Sequence, residues 1–168
     1  MTANEISKNV FDMIGKQWML VGAAKDGKVN AMTASWGGLG VMWGKNVAFV
    51  FIRQTRYTKE FVDNGETFSL SFFGDDQRKM LNYMGTVSGR DADKVSECGL
   101  HVSLEENAPV FEEAELTLVC RKLFAQEMAK ECFIDKEALA KWYGDENYHT
   151  MYAVSYTHLR AHETCADL

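Results

Sequence analysis

Along much of the chain, apolar side chains fall on every second position, and only short stretches space them as a helix does. Residues 67–73 set Phe68, Leu70 and Phe72 on one side against Ser69, Ser71 and Phe73 on the other. That is the period of two of a half-buried strand. Residues 116–121 repeat it, Leu116, Leu118 and Cys120 alternating with Thr117, Val119 and Arg121; they predict a long barrel strand after Pro109. Val47 to Ile52, rich in β-branched and aromatic residues, predicts another. The apolar run WMLVGAA gives way to AKDGKVN, where Asp26 and Gly27 tolerate positive φ and predict a hairpin turn. A returning strand through Ala31 to Trp36 follows. Gly37, Gly38 and Gly40 then predict a bend where backbone can approach a ligand. Near the end, YHTMYAVSY reads as a closing strand.

Helical spacing is confined to short segments. The opening is amphipathic through Ile6, Val10, Phe11 and Ile14. Residues 58–64 predict a helix with Thr58 as N-cap, Phe61 and Val62 facing inward, and Gly65 as its stop. Asp75 or Asp76 predicts the cap of a helix through Arg78, Met80, Leu81 and Met84 that ends at Gly85. Residues 135–143 predict one more. Many strands with helices inserted between them predict a mainly β fold, a small closed barrel with peripheral α-helices, since closure removes exposed edges.

Composition narrows the class. A chain of 168 residues, 46% hydrophobic with net charge −6, fits one folded domain and disfavours both disorder and a broad nucleic-acid surface. Cys98, Cys120, Cys132 and Cys165 lack CxxC spacing, which argues against a zinc ribbon or a redox pair and for reduced thiols in a cytoplasm. The start, MTANEISKNVF, lacks the basic-then-apolar order of a secretion signal, and no apolar run is long enough to span a bilayer. No membrane or nucleic-acid partner is expected.

The chemistry concentrates between Asn30 and Thr58. Hydroxyl-bearing NAMTAS and the polar loop RQTRYT sit at the ends of apolar strands, and a later loop, SGRDADK, again offers hydroxyl, glycine and cations. Arginine forks and Thr hydroxyls suit a phosphorylated, planar ligand. Taken alone, each feature has a plainer reading: the arginines as solvated loop charges, SGR as a surface turn, Lys94 paired with Asp91 or Asp93. Trp18 and Trp43 read as core packing, and His101 as a strand residue. His149 reads equally as a donor near the ligand and as a hydrogen-bonded residue at a strand entrance. The dispersed methionines give no metal site.

In that order, NAMTASWGGLGVMWGKNVAFVFIRQTRYTKEF, ETFSLSFF, SGRDADK and a late YHTMY resemble the flavin reductase-like family of FMN-binding split barrels, especially its flavoredoxin-like branch, over roughly residues 10 to 153. The resemblance implies a Greek-key split β-barrel and a homodimer with FMN near the interface. It places Asn30, Met32, Thr33, Ala34, Ser35 and Trp36 along the isoalloxazine and ribityl chain. Arg53, Arg56, Tyr57 and Thr58 fall by the phosphate, with Ser88, Gly89, Arg90 and Lys94 as further contacts. The implied activity is an FMN-dependent oxidoreductase fed by NAD(P)H or a protein donor. NAD(P)H would bind transiently, because no GxGxxG marks a dinucleotide site. Alternatives are a non-enzymatic FMN carrier passing electrons between proteins, or a pyridoxamine phosphate oxidase-like enzyme on a related barrel.

The end of the chain departs from that pattern. THLRAHET resembles translated sequencing-adapter read-through, standing where family members continue a YIGEI-like strand, so residues 155–168 are expected to be a non-native tail after a domain of residues 1–154. The HxxxH spacing of His158 and His162 is accordingly not read as a metal site.

Overall fold

The computed structural model describes residues 3–161. After a π-helical turn at Asp12–Gln17 that buries Met13 and Ile14 but leaves Phe11 in solvent, the chain enters β1 (Met19–Lys25) and β2 (Lys28–Ala34). The turn between them is the predicted one. Asp26 and Gly27 both take positive φ, 51° and 74°, between the paired Lys25 and Lys28, the two-residue geometry that matches strand twist. Trp43 and Gly44 (φ 53° and 68°) join β3 (Gly37–Met42) to β4 (Lys45–Arg53) in the same way.

The glycine run is therefore a strand and not the predicted bend. Its backbone lies so close to β4 that a Cβ at Gly37 would stand 2.4 Å from the Phe49 carbonyl oxygen. β2 likewise spans residues 28–34 and not 31–36, with Ser35 and Trp36 outside it.

Beyond β4 come α1 (Tyr57–Asn64), β5 (Thr67–Phe72), α2 (Arg78–Thr86) and α3 (Lys94–Glu97). A small hairpin follows, β6 (Val102–Glu105) with β7 (Ala108–Phe111), then β8 (Leu116–Glu127), α4 (Lys136–Tyr143) and β9 (His149–Ala161). Pro109 lies inside β7, and His101 just before β6. Thr58 does not cap α1. Arg56 holds the cap position, while Thr58 is buried within the first turn and accepts a hydrogen bond from Asn30 Nδ2 at 2.8 Å. Nor does an aspartate cap α2: a 3₁₀ turn, Asp75–Gln77, leads into it, and Gly85 lies within its last turn. Asp135 caps α4 through the amides of Glu137 and Ala138.

The main sheet runs β2-β1-β5-β8-β9-β4-β3. Its outer strands, β2 and β3, are neighbours in sequence with only Ser35 and Trp36 between them. The chain crosses from one edge to the other in that span, so the sheet must curl until its edges meet. The result is a mainly β split barrel with peripheral helices, the predicted fold class.

Alternation decides which side chains fill the barrel. Val21, Phe68, Leu70, Leu118, Tyr152 and Val154 belong to its interior cluster, while Leu20, Phe73 and Phe111 pack outside with Met80, Leu81 and Met84 of α2. This second layer corrects the half-buried reading of residues 67–73: Thr67–Phe72 is buried on both faces. Its serines are satisfied internally, Ser71 sharing a 3.0 Å bond with Thr117 and Ser69 donating to Gly22 O at 3.4 Å. Trp18 packs on the outer cluster beneath the Arg78 guanidinium. Trp43, expected in the core, is 58% exposed at the β3–β4 turn.

β9 continues past residue 154, pairing Ser155 with Arg121 and Ala161 with Leu116. The remainder of the expected tail, with His162 and Cys165, lies outside the described residues. No helix of the described residues is long and apolar enough to cross a membrane.

Candidate functional site

Where β2 ends and the chain crosses to β3, the barrel opens into a cleft of about 620 Å³, within the range of small-molecule sites. Met32, Thr33, Ala34, Ser35 and Trp36 form one side. Phe51 and Arg53 from β4, with Thr55 and Arg56 from the turn after it, form another; Gly85 of α2, Trp142 of α4 and His149 of β9 complete it. These distant segments meet because Arg53 and His149 are paired where β4 and β9 come together.

Buried positive charge collects beside the cleft. Arg56 donates from Nη1 to Gly85 O at 2.8 Å, and Lys94 from Nζ to Met84 O at 2.9 Å. Both carbonyls lie in the last turn of α2, the partially negative end of a helix. Lys94 is only 3% exposed; burial, and then the charge of Arg56, push its ammonium down to about 8. Arg56 is lowered too, by burial and then by Arg53. Neither forms an ion pair among the described residues. Two cations held together in a half-dry environment favour an anion, which would relieve their repulsion.

A neighbouring cavity of about 670 Å³ takes other predicted residues: Asn30, Tyr57, Gly89, Arg90 and Lys94 line it. Gly89 is required there, since a Cβ would come within 2.1 Å of Asn30 Oδ1. Thr58 lies beneath, as the buried partner of Asn30. Arg90 pairs with Glu60, donates to Thr55 O at 3.4 Å and covers the Tyr57 ring at 4.6 Å, and its amide is held by Ser88 Oγ at 3.2 Å. The predicted residues thus split between the cleft, the adjoining cavity and the brace between them.

An aromatic wall was not foreseen. The Trp142 ring meets Trp36 edge-on at 5.0 Å, and Trp36 in turn leans on His149 at 4.9 Å. His149 combines both of its sequence readings: it lines the cleft, and at the entrance of β9 its Nδ1 is 2.7 Å from the Tyr143 hydroxyl. Burial, then Arg53 and Arg56, hold its imidazole down at about 4, so it is neutral at neutral pH. Phe51, Thr55, Gly85 and Trp142 were missed as lining residues. Thr55 stood within RQTRYT, but nothing local to Trp142 announces its place.

Among curated proteins, none matches the chain by sequence. Among solved structures, flavoredoxin from Methanosarcina acetivorans superposes with TM-score 0.71 at 24% identity, covering 97% of this chain and 77% of that one. Flavoredoxin of Desulfovibrio vulgaris (Miyazaki F) gives 0.70 at 18% identity, covering 99% and 80%. An FMN-binding protein from Thermus thermophilus with bound p-hydroxybenzaldehyde gives 0.68 at 19%, covering 97% and 83%. At these identities the superpositions speak for the fold. The sequence profile of the flavin reductase like domain matches residues 11–164, which includes both cavities and every strand of the main sheet, and the chain therefore belongs to the flavin reductase-like family.

Proposed function

We propose that this protein is an FMN-binding oxidoreductase that passes electrons from NAD(P)H or a protein donor through bound FMN to an acceptor. The observation that carries the reading is the pair of cations, half-buried Arg56 and buried Lys94, beside a cleft lined by Met32–Trp36. The donor set fits a flavin phosphate: Arg56 keeps unused N–H groups beyond its bond to Gly85 O, and the Thr55 hydroxyl lies alongside in the cleft. Thr33 donates its own proton to Leu81 O at 2.5 Å, so toward a ligand its oxygen can only accept. Ser35 and the backbone of residues 32–36 would bond the ring and ribityl chain, while Trp36 and Trp142 exclude water from one side. FMN held there supplies the redox chemistry, accepting a hydride or single electrons at its ring. No cleft residue needs to act as an obligatory acid.

All cleft-lining residues precede residue 150, so the reading assigns the function to residues 1–154 and none of it to 155–168. It places the protein in the cytoplasm, where Cys98, Cys120 and Cys132 stand as free thiols.

An anaerobic absorbance titration tests the function. Protein loaded with FMN should be yellow and should bleach with NADH, NADPH or a reduced protein donor. Bleaching by the reduced protein donor alone, with no steady-state oxidation of NADH or NADPH, would identify a carrier, and protein that stays colourless in excess FMN would end the reading.

Lys94 makes the binding pH-dependent. Its free ammonium loses its proton near pH 8, and an anion beside it favours the charged form, so binding above that pH takes up a proton. FMN affinity should hold steady below about pH 8 and fall above it, by up to about tenfold per pH unit. Fluorescence titrations on both sides of that point check this, and a flat profile would remove Lys94 from the site.

We also propose a homodimer. Val41 and Trp43 of the β3–β4 hairpin are exposed, and Trp43 meets the partly exposed Phe124 ring at 6.2 Å, an apolar patch suited to a second copy. Light scattering should give twice the chain mass, and Trp43→Asp should shift it to the monomer with unchanged circular dichroism. A monomeric parent protein would refute the dimer.

A further inference from the structure

Arg53 lines the cleft, yet its guanidinium is turned to the protein. Nη1 donates to Asn147 O and Nη2 to Trp142 O, each at 2.9 Å, so one planar fork bridges both sides of the turn joining α4 to β9. Asp145 of that turn lies 3.8 Å from Nη1, and the guanidinium carbon sits 5.3 Å from the centre of the Tyr143 ring.

The helix itself buries little. Tyr143 is its one buried residue, and Trp142 remains 44% exposed. The other ties of this region are local or single: the Tyr143–His149 bond, Tyr143 Oη to Met128 Sδ at 3.5 Å, Asn147 Nδ2 to Thr55 Oγ1 at 2.8 Å, the amide of Gln54 to Tyr148 O at 3.2 Å, the exposed Lys130–Glu146 pair, and ring contacts of Tyr143 and Tyr148 with Phe133. A helix held by one buried ring and a few polar ties opens locally more readily than the paired barrel strands. Its opening would carry Trp142 away from Trp36 and remove one wall of the cleft.

We propose that Arg53 is a positioning residue: its guanidinium fastens α4 to the barrel and thereby seats the Trp142 wall, and it does not hold the ligand's phosphate. The flavin part of this inference rests on the function proposed above. A phosphate could recruit Arg53 only by displacing two backbone carbonyls, whereas Arg56 and Lys94 already serve that end.

The test compares FMN with riboflavin, which lacks the phosphate, and adds hydrogen exchange on the unliganded protein. In Arg53→Ala, the dissociation constants of both flavins should rise by the same factor, about tenfold if the wall is seated in one molecule in ten. Amides of residues 136–149 should exchange faster, with the remaining barrel strands unchanged. Arg53→Lys should not rescue either readout, because an ammonium cannot bond two carbonyls as a planar fork does. Weakened FMN with unchanged riboflavin, rescue by lysine, or unaltered exchange at 136–149 would each overturn the assignment. If the parent protein binds neither flavin, the function proposed above falls, and the exchange experiment alone decides the role of Arg53.

Discussion

Arg56→Ala should weaken FMN binding by roughly 10- to 150-fold, the equivalent of about 1.5–3 kcal/mol for a charge-assisted hydrogen bond. Arg56 is the one predicted arginine that is half-buried, lines the cleft and, among the described residues, has a single side-chain bond, to Gly85 O, to keep it there. Its removal has a second consequence. Arg56 is one cause of the lowered Lys94 ammonium, after burial, so in the variant Lys94 stays protonated to higher pH. The loss of affinity should therefore be largest below pH 8 and partly offset above it. Arg56→Lys should give an intermediate loss, since charge is kept and the fork is not. Calorimetric titration of the parent and both variants at two pH values provides the check. An unchanged dissociation constant would take Arg56 out of the site.

Phe68→Ala should destabilise the fold by about 3–5 kcal/mol without altering the chemistry of the cleft. Phe68 is fully buried in β5, near the middle of the sheet, with its ring edge-on to Tyr152 at 6.2 Å. The Tyr152 hydroxyl in turn bonds Asp63 Oδ1 at 2.5 Å, tying the strand interior to α1. Truncation leaves a cavity under that contact, in a closed barrel whose walls cannot collapse into it. For a chain of this length the melting temperature should fall by roughly 6–20 °C. Flavin affinity at a temperature where both proteins are folded should be unchanged. A loss of less than about 1 kcal/mol in chemical denaturation would show that the interior repacks freely.

The parts of the fold legible in the sequence are those that local chemistry controls. Asp26–Gly27 announces its turn because both residues accept positive φ, whereas Trp43 at φ 53° turns against its type and hides the β3–β4 hairpin, and Gly37, Gly38 and Gly40, which predict a bend, are the strand β3. Residues 67–73 look half polar, but Ser69 and Ser71 bond internally, so a solvent face was inferred where the outer helix layer lies. The cations of RQTRYT and SGRDADK were legible as a cluster; their division of labour was not. Arg90 is drawn to Glu60 and Arg53 to the α4–β9 turn, partners that only the fold supplies. Trp142 reaches the cleft from more than a hundred positions beyond Trp36 in the chain because β9 pairs with β4, a long-range event with no local signature.

The junction of Ser35 and Trp36 bounds what the seam can admit. From Ala34 at the end of β2 to Gly37 at the start of β3 the backbone has three steps, and even fully extended these span no more than about 11 Å. The aperture at that end of the barrel is thus capped by covalent reach and not by packing alone. A thin, flat guest can slide between the lips, but a bulky one would be stopped by the tether itself, however much the surrounding side chains gave way.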